Sequence, residues 1–234
     1  MSPARKLFAV ITTVALMGCG SRPAIKTAAV DEPAAAEKDA APKASFTQQV
    51  GGMNHEAVEK SFARLQKQVI RCLERGTSRV EGIGGTFTLD LRISMAGDVR
   101  WVHLSSSNLG DRETERCILD AARDRSWPRP KGGEGEISHT YDVDSTVPVH
   151  VWEAKRLRTA MPEIRKQVWK CFGGARGRFE TTLYIQQSGR VASAGVAPPR
   201  HQDDEKVDCL VDVLTGLSFG WQRRKMTKVT FTLP

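Results

Sequence analysis

The chain has 234 residues, of which 40% are apolar and 26% are charged, a balance that excludes a polytopic membrane protein. Its formal charge of +8 is unevenly distributed, since residues 1–50 carry +2, residues 51–146 carry −1 and residues 147–234 carry +7. This concentration favours one locally basic face over a surface that binds nucleic acid in general.

The N-terminus has the pattern of an export signal. Arg5 and Lys6 precede an apolar run at residues 7–16, which is too short for a membrane-spanning helix. The run ends in Leu16-Met17-Gly18-Cys19, which resembles the lipobox of bacterial lipoproteins. That resemblance implies that residues 1–18 are a signal peptide and that Cys19 carries a diacylglycerol and palmitate. Their acyl chains would anchor the protein in a membrane. The alternative is an ordinary signal peptide in which the cysteine is incidental.

Residues 19–50 are predicted to form a disordered tether behind the lipidated cysteine. They consist mainly of Ala, Pro, Lys, Asp and Glu and contain almost nothing to bury. Gly20 stands where an aspartate would retain a lipoprotein of enteric bacteria on the inner membrane. The sequence therefore favours the periplasmic face of the outer membrane.

The remainder of the chain contains an internal repeat. Its first part is an amphipathic helix in each copy, with apolar residues at matching steps 99 residues apart: Val58, Phe62, Leu65, Val69 and Cys72, and Leu157, Met161, Ile164, Val168 and Cys171. Downstream the offset is 92, because the second copy lacks seven residues after Cys171.

Each copy continues with alternating strands, a glycine turn and a second helix. The predicted strands begin at Phe87 and Phe179, and Gly97 and Gly189 supply the turns that follow them. A second helix and a last strand complete each copy, and we match His139–Val143 to Val229–Leu233. The sequence thus predicts an α+β fold of two modules, at 51–146 and 147–234, each helix–strand–strand–helix–strand with a three-stranded antiparallel sheet.

The first copy resembles the TonB C-terminal module, and more closely the AgmX/PglI C-terminal domain of myxobacteria. The residues that carry this resemblance are a cysteine pair and a run of short motifs: Ser105-Ser106, Leu109-Gly110-Asp111, Cys117-Ile118 and Trp127-Pro128. The match is weaker over 155–234. The resemblance implies an envelope protein-interaction module that pairs an edge strand with an extended segment of a partner, and it implies neither catalysis nor energy transduction.

Four further cysteines in an exported chain indicate two disulfides. Among the three possible pairings, duplication of one bridged module gives Cys72–Cys117 and Cys171–Cys209. The alternatives are a four-cysteine zinc site, which lacks CxxC spacing, and a redox pair.

No constellation of residues predicts catalysis, a metal site or a cofactor. The five histidines are scattered, and Ser105-Ser106-Ser107 near His103 lacks the GxSxG pattern of a nucleophile elbow. We therefore expect a protein that is not an enzyme, and an unrecognised hydrolytic site at His103 and Ser106 is the least favoured alternative.

Two features point to binding. A basic and aromatic cluster precedes the last strand and consists of Trp221, Arg223, Arg224, Lys225 and Lys228; it suits an acidic partner, a glycan phosphate or an anionic lipid. The terminal strands, Ile137–Val143 and Lys228–Leu233, could each present an open edge to a partner strand unless the copies cover each other. The main prediction is an adaptor that binds another envelope protein of a motility, secretion or export machine. The alternative is a glycan- or lipid-binding module that uses the basic face of the second copy.

Overall fold

The computed structural model describes residues 52–145, 147–220, 222 and 224–234, and these belong to one compact unit of the chain. In the first module the elements are α1 (His55–Gly76), β1 (Gly85–Ile93), β2 (Val99–Ser107), α2 (Arg112–Arg123) and β3 (Gly135–Val143). In the second they are β4 (His150–Trp152), α3 (Met161–Phe172), β5 (Phe179–Gln186), β6 (Val191–Ala197), α4 (Asp204–Thr215) and β7 (Met226–Leu233).

The helices follow the apolar stripes that the sequence contains. Helix α1 begins after Asn54, whose side-chain oxygen accepts a hydrogen bond from the N–H of Ala57 (2.9 Å). The predicted stripe from Val58 to Cys72 is buried against the first sheet. Helix α3 ends at Gly173, whose φ of 55° suits glycine.

The antiparallel strands have corresponding registers in both copies, except that the β1–β2 pair has an additional register shift at Thr88/Leu89. The β1–β2 and β5–β6 pairs have a register shift at corresponding places, Arg92/Ile93 and Tyr184/Ile185. The predicted turn glycines have φ values of 93° at Gly97 and 87° at Gly189. The structure therefore confirms the α+β fold and the offset of 92 across these strands.

Two expectations about the strands are wrong. The second sheet has four strands rather than three, in the order β4-β7-β5-β6, because the start of the second module adds β4 parallel to β7. The last strands correspond at an offset of 92 rather than 90, since Leu89 lies opposite His139 whereas its counterpart Thr181 lies opposite Phe231. His139 thus matches Phe231 and not Val229.

Both predicted disulfides are present. Cys72 at the end of α1 is bonded to Cys117 of α2, and Cys171 of α3 is bonded to Cys209 of α4. Their Cα atoms are 5.8 and 5.5 Å apart, and the bonds close 45 and 38 residues of chain. Each bond therefore fixes the two helices of its own module to each other.

Candidate functional site

The outer edge of β3 is the candidate interaction site of the first module. The first sheet has the order β2-β1-β3, so β3 has a hydrogen-bonded neighbour on one side only within the part of the chain that the structure describes. The strand is nine residues long and pairs with β1 along its whole length, from Gly85 opposite Val143 to Ile93 opposite Gly135. A long, regular edge of this kind can accept another strand.

The register shows which backbone groups face that edge. The N–H of Thr86 donates to the side-chain oxygen of Asn108, and its C=O accepts from the N–H of Asn108. The N–H of Ser94 donates to the C=O of Asp98. The even-numbered residues of β1 therefore direct their backbone groups to the β2 side. Backbone groups alternate along an antiparallel strand, so the odd-numbered residues of β1 bond to β3. It follows that the even-numbered residues of β3 direct their N–H and C=O groups to the open edge: Glu136, Ser138, Thr140 and Asp142.

The same four residues form a polar ladder with β1 on the outer face of the sheet. Three pairs join hydroxyl or carboxyl groups and one is an ion pair, and the contacts are Thr86–Asp142 (3.2 Å), Thr88–Thr140 (2.9 Å), Asp90–Ser138 (2.5 Å) and Arg92–Glu136 (3.2 Å). Cross-strand pairs of this type hold a strand in register. The ladder therefore supports the pairing of β3 with β1 at the side-chain level, although no other strand of the described residues pairs with β3.

The opposite face of β3 is fixed to α1. The His139 ring stacks on Phe62 with 4.4 Å between ring centroids, and the Tyr141 hydroxyl donates to the Phe62 carbonyl (3.2 Å). Burial lowers the pKa of His139 and raises the pKa of Tyr141. Both side chains are therefore neutral core groups at pH 7, as a structural role requires.

In the second module the corresponding edge already holds a strand. Residues 150–152 of β4 pair in parallel with Thr227–Val229 of β7. Beyond Val229 the outer edge of β7 has no partner among the described residues. The terminal strand of this fold can thus accept an added strand, and the first module presents the equivalent edge without one.

The segment from Ser106 to Asp111 of the first module contributes to the contact between the copies. Ser106 Oγ donates to the Glu180 carboxylate of β5 (2.6 Å), whereas Ser107 Oγ donates to Glu115 (2.7 Å). Neither of these two hydroxyls bonds to His103, the partner that a nucleophile at Ser106 would need. The serine run is therefore occupied by structural hydrogen bonds.

Asp111 is the polar centre of this contact. Its carboxylate accepts hydrogen bonds from Arg79 (2.6 Å), from Thr114 of its own helix (2.6 Å) and from Ser193 of the second module (2.7 Å). Burial alone would raise the pKa of Asp111, but these hydrogen bonds outweigh it and hold the pKa below its usual value. Asp111 thus stays charged and links three elements.

Further charges join the two second helices. Arg112, which is 9% exposed, donates to Asp208 (2.9 Å) and to Asp204 (3.3 Å) of α4. Arg116 also contacts Asp208 (2.6 Å). These pairs and the Asp111 contacts line a charged cleft of about 460 Å³ between the modules.

The two backbones approach closely at a pair of glycines. A Cβ atom on Gly195 of β6 would lie 2.8 Å from the Gly110 Cα and 2.4 Å from Glu115 Oε1. Gly110 itself has a φ of 75°, and a Cβ there would meet Thr182 and Tyr184. Both positions therefore require glycine for the modules to touch.

Glu115 is fully buried at this crossing. Its Oε1 accepts from Ser107, whereas its Oε2 has no hydrogen-bond partner among the described residues. Burial raises the pKa of Glu115 to about 7. Sequence reasoning did not single out this residue, although its counterpart in the second copy is the buried Val207, and a carboxyl group at an apolar helix position is a detectable signal.

The predicted basic cluster is only partly described. Trp221 and Arg223 lie outside the described residues, as do Cys19, the signal peptide at 1–18 and the tether at 19–50. Arg224 is exposed, Lys225 forms an ion pair with Glu81 of the first module, and Lys228 Nζ donates to the Gly84 carbonyl (2.7 Å). Burial lowers the pKa of Lys228 to about 8. Two of the three described cations thus contact the first module.

Two other features, a metal site and a membrane-spanning helix, are absent from the described residues. Within those ranges, no group of three or more His, Cys, Asp or Glu side chains could hold a metal ion. No helix described by the structure is both long and apolar enough to cross a membrane. No protein-family model, curated protein or solved structure matches the chain.

Proposed function

We propose that the protein is a non-enzymatic interaction adaptor of the bacterial envelope, and that the outer edge of β3 binds an extended segment of a partner protein. The observation that carries this proposal is the contrast between the two equivalent edges. β7 already pairs with the short strand β4, whereas all nine residues of β3 lack an outer neighbour in the described structure. An added strand gains backbone hydrogen bonds along such an edge.

The rest of the proposal rests on the sequence. The lipobox-like Leu16-Met17-Gly18-Cys19 supports lipid attachment at Cys19 and a location at the periplasmic face of the outer membrane. The resemblance to the TonB-like AgmX/PglI domain supports pairing with a strand of an envelope protein. Mass spectrometry of the mature protein tests the first point, because an unmodified Cys19 would remove the anchor.

The β3 edge is tested with a pair of matched proline variants. Thr140→Pro removes a backbone N–H that faces the open edge and leaves the backbone bonds to β1 in place, although the hydroxyl contact with Thr88 is lost. Thr232→Pro makes the same change at the corresponding position of β7 and serves as the control. Crosslinking in intact cells, followed by mass spectrometry, should recover one dominant envelope protein with the wild type and with Thr232→Pro, and at least about tenfold less with Thr140→Pro.

A folding defect has to be separated from a binding defect. Thermal unfolding of Thr140→Pro should resemble that of Thr232→Pro. A second variant, Ser138→Lys with Thr140→Lys, keeps every backbone group and places charge on the edge. Recovery of the same partner with all the variants, or of lipid or glycan alone, would refute the edge as the binding site.

A further inference from the structure

A groove lies in the second module where α3 ends and the chain crosses to β5. It has a volume of about 980 Å³. Its apolar part is formed by Trp169, Phe172 and Ala175, together with the glycines of residues 173–177. Trp169 is 75% exposed, the largest exposed fraction among the large apolar side chains of the described residues.

The groove results from the seven residues that the second copy lacks. In the first copy the connection between α1 and β1 spans residues 77–84 and buries Val80 and Ile83 in the core. In the second copy α3 ends one residue after its cysteine rather than four, and the connection spans only residues 173–178. This shorter connection places no fully buried side chain over α3. The connection therefore covers apolar surface in the first module, and the corresponding surface in the second module is open.

Cations surround this apolar surface. Arg165, Lys170, Arg176 and Arg178 line the groove together with Trp169, and no acidic side chain lines it. None of these four cations forms an ion pair within the described part of the chain. Four unpaired cations in one groove create a positive potential that attracts an anion.

The position of the groove favours an amphiphile over a peptide. It lies at the end of the second sheet, between the first residue of β5 and Pro234 after β7, and not along a sheet edge. It therefore lacks the row of unpaired backbone groups that holds an extended peptide. Glycines along its wall allow a flexible chain to approach closely, and an exposed Trp beside Arg and Lys is typical of contacts with lipid headgroups.

We propose that this groove binds an anionic phospholipid, with an acyl chain along Trp169 and Phe172 and the phosphate among the four cations. The site is distinct from the β3 edge and from the Arg224–Lys228 segment. It does not depend on the adaptor function, and it would place the second module against an anionic membrane surface.

The test uses the full chain reconstituted in vesicles of phosphatidylcholine and phosphatidylglycerol, in which either one lipid or the other carries brominated acyl chains. Bromine quenches the fluorescence of a nearby tryptophan. The fluorescence lost by the wild type, minus that lost by Trp169→Phe, therefore measures quenching at the groove. We expect strong quenching of Trp169 by brominated phosphatidylglycerol, and little quenching by brominated phosphatidylcholine. Because each cation near an anionic surface contributes to binding, Arg176→Glu with Arg178→Glu should weaken the interaction by roughly 30-fold or more.

The matched control is Lys67→Glu with Arg71→Glu, at the α1 positions that correspond to Lys166 and Lys170. In this control, brominated phosphatidylglycerol should quench Trp169 as strongly as it does in the wild type. Any contribution of the N-terminal anchor is common to all variants and cancels. Equal quenching in both lipids, or quenching that survives in Arg176→Glu with Arg178→Glu, would overturn the proposal. A soluble acidic peptide that changes the fluorescence of Trp169, in the absence of any quenching by brominated lipid, would also overturn the proposal.

Discussion

Glu115→Gln tests whether the contact between the modules buries a carboxyl group that resists ionisation. The pKa of Glu115 is raised from 4.5 to about 7, and its neighbours include both Asp111 and Arg112. A raised carboxyl pKa means that the folded state binds the proton more tightly than the unfolded state between these two values. Stability from this group is therefore fully present below pH 4.5 and is lost as the pH rises towards 7.

The size of the effect follows from the pKa values. A difference of 2.5 between 4.5 and about 7 corresponds to about 3 kcal/mol of unfolding free energy. Glutamine keeps the oxygen that accepts from Ser107 and carries no charge. Glu115→Gln should therefore match the wild type near pH 4.5 and exceed it by up to about 3 kcal/mol at pH 8.

Urea denaturation with the disulfides intact measures this difference. The wild type and Glu115→Gln are compared at pH 4.5 and pH 8, above the range in which Asp111, with its lowered pKa, takes up a proton. Other titrating groups are common to both proteins, so only the change in the difference between them is informative. A difference that is the same at both pH values would refute the assignment of a raised pKa to Glu115.

Three further changes test other parts of the structure. Replacing Cys171 and Cys209 by Ser should lower the unfolding free energy by up to about 4 kcal/mol, because 38 residues of chain are no longer closed, and a urea titration that shows no loss would contradict this. The lowered pKa of Lys228 means that its positive charge destabilises the folded state at low pH, so the wild type should gain stability between pH 8 and pH 10.5. Lys228→Met should lack this gain, and parallel pH profiles of the two proteins would contradict this. Gly195→Ala should cost about 1–3 kcal/mol, as its Cβ would lie 2.8 Å from the Gly110 Cα, and an unchanged urea midpoint would show that the modules separate without cost.

The repeat made much of the fold predictable. Residues that recur at fixed steps, such as Val58 and Cys72, identify both helices and the cysteine pairing, because a duplicated module keeps its own bridge. The turn glycines Gly97 and Gly189 are predictable for the same reason, since a positive φ strongly favours glycine. Local periodicity and duplication are sufficient for features that each copy forms by itself.

Features that depend on pairing at a distance were not predictable. The strand β4 has three residues, His150–Trp152, and its sequence resembles any short linker until β7 lies beside it. The shift of the last strand by two residues has a similar cause, because alternation fixes which face a side chain occupies and leaves two-residue steps undetermined. His139 and Phe231 both satisfy that alternation.

The candidate sites show the same division. The sequence indicated that a terminal strand could present an open edge, but the structure was needed to distinguish β3 from β7. The contact between the modules joins residues as distant as Ser106 and Glu180, and no local pattern marks such a pair. The groove beside Trp169 could likewise not be predicted from the sequence, although the change of repeat offset indicated the seven-residue deletion next to it.

The start of the described chain and the β3 edge lie close together. Gly52 and Lys131 exchange two backbone hydrogen bonds, of 2.8 and 2.9 Å, just before the chain enters β3. If residues 19–50 form the predicted tether and β3 holds a partner strand, tension between them would thus be borne within the first module, whose two helices are joined by the Cys72–Cys117 bond. The groove beside Trp169 belongs to the second module. A partner strand on β3 and a lipid in the groove would therefore contact different modules, and both could be bound at once.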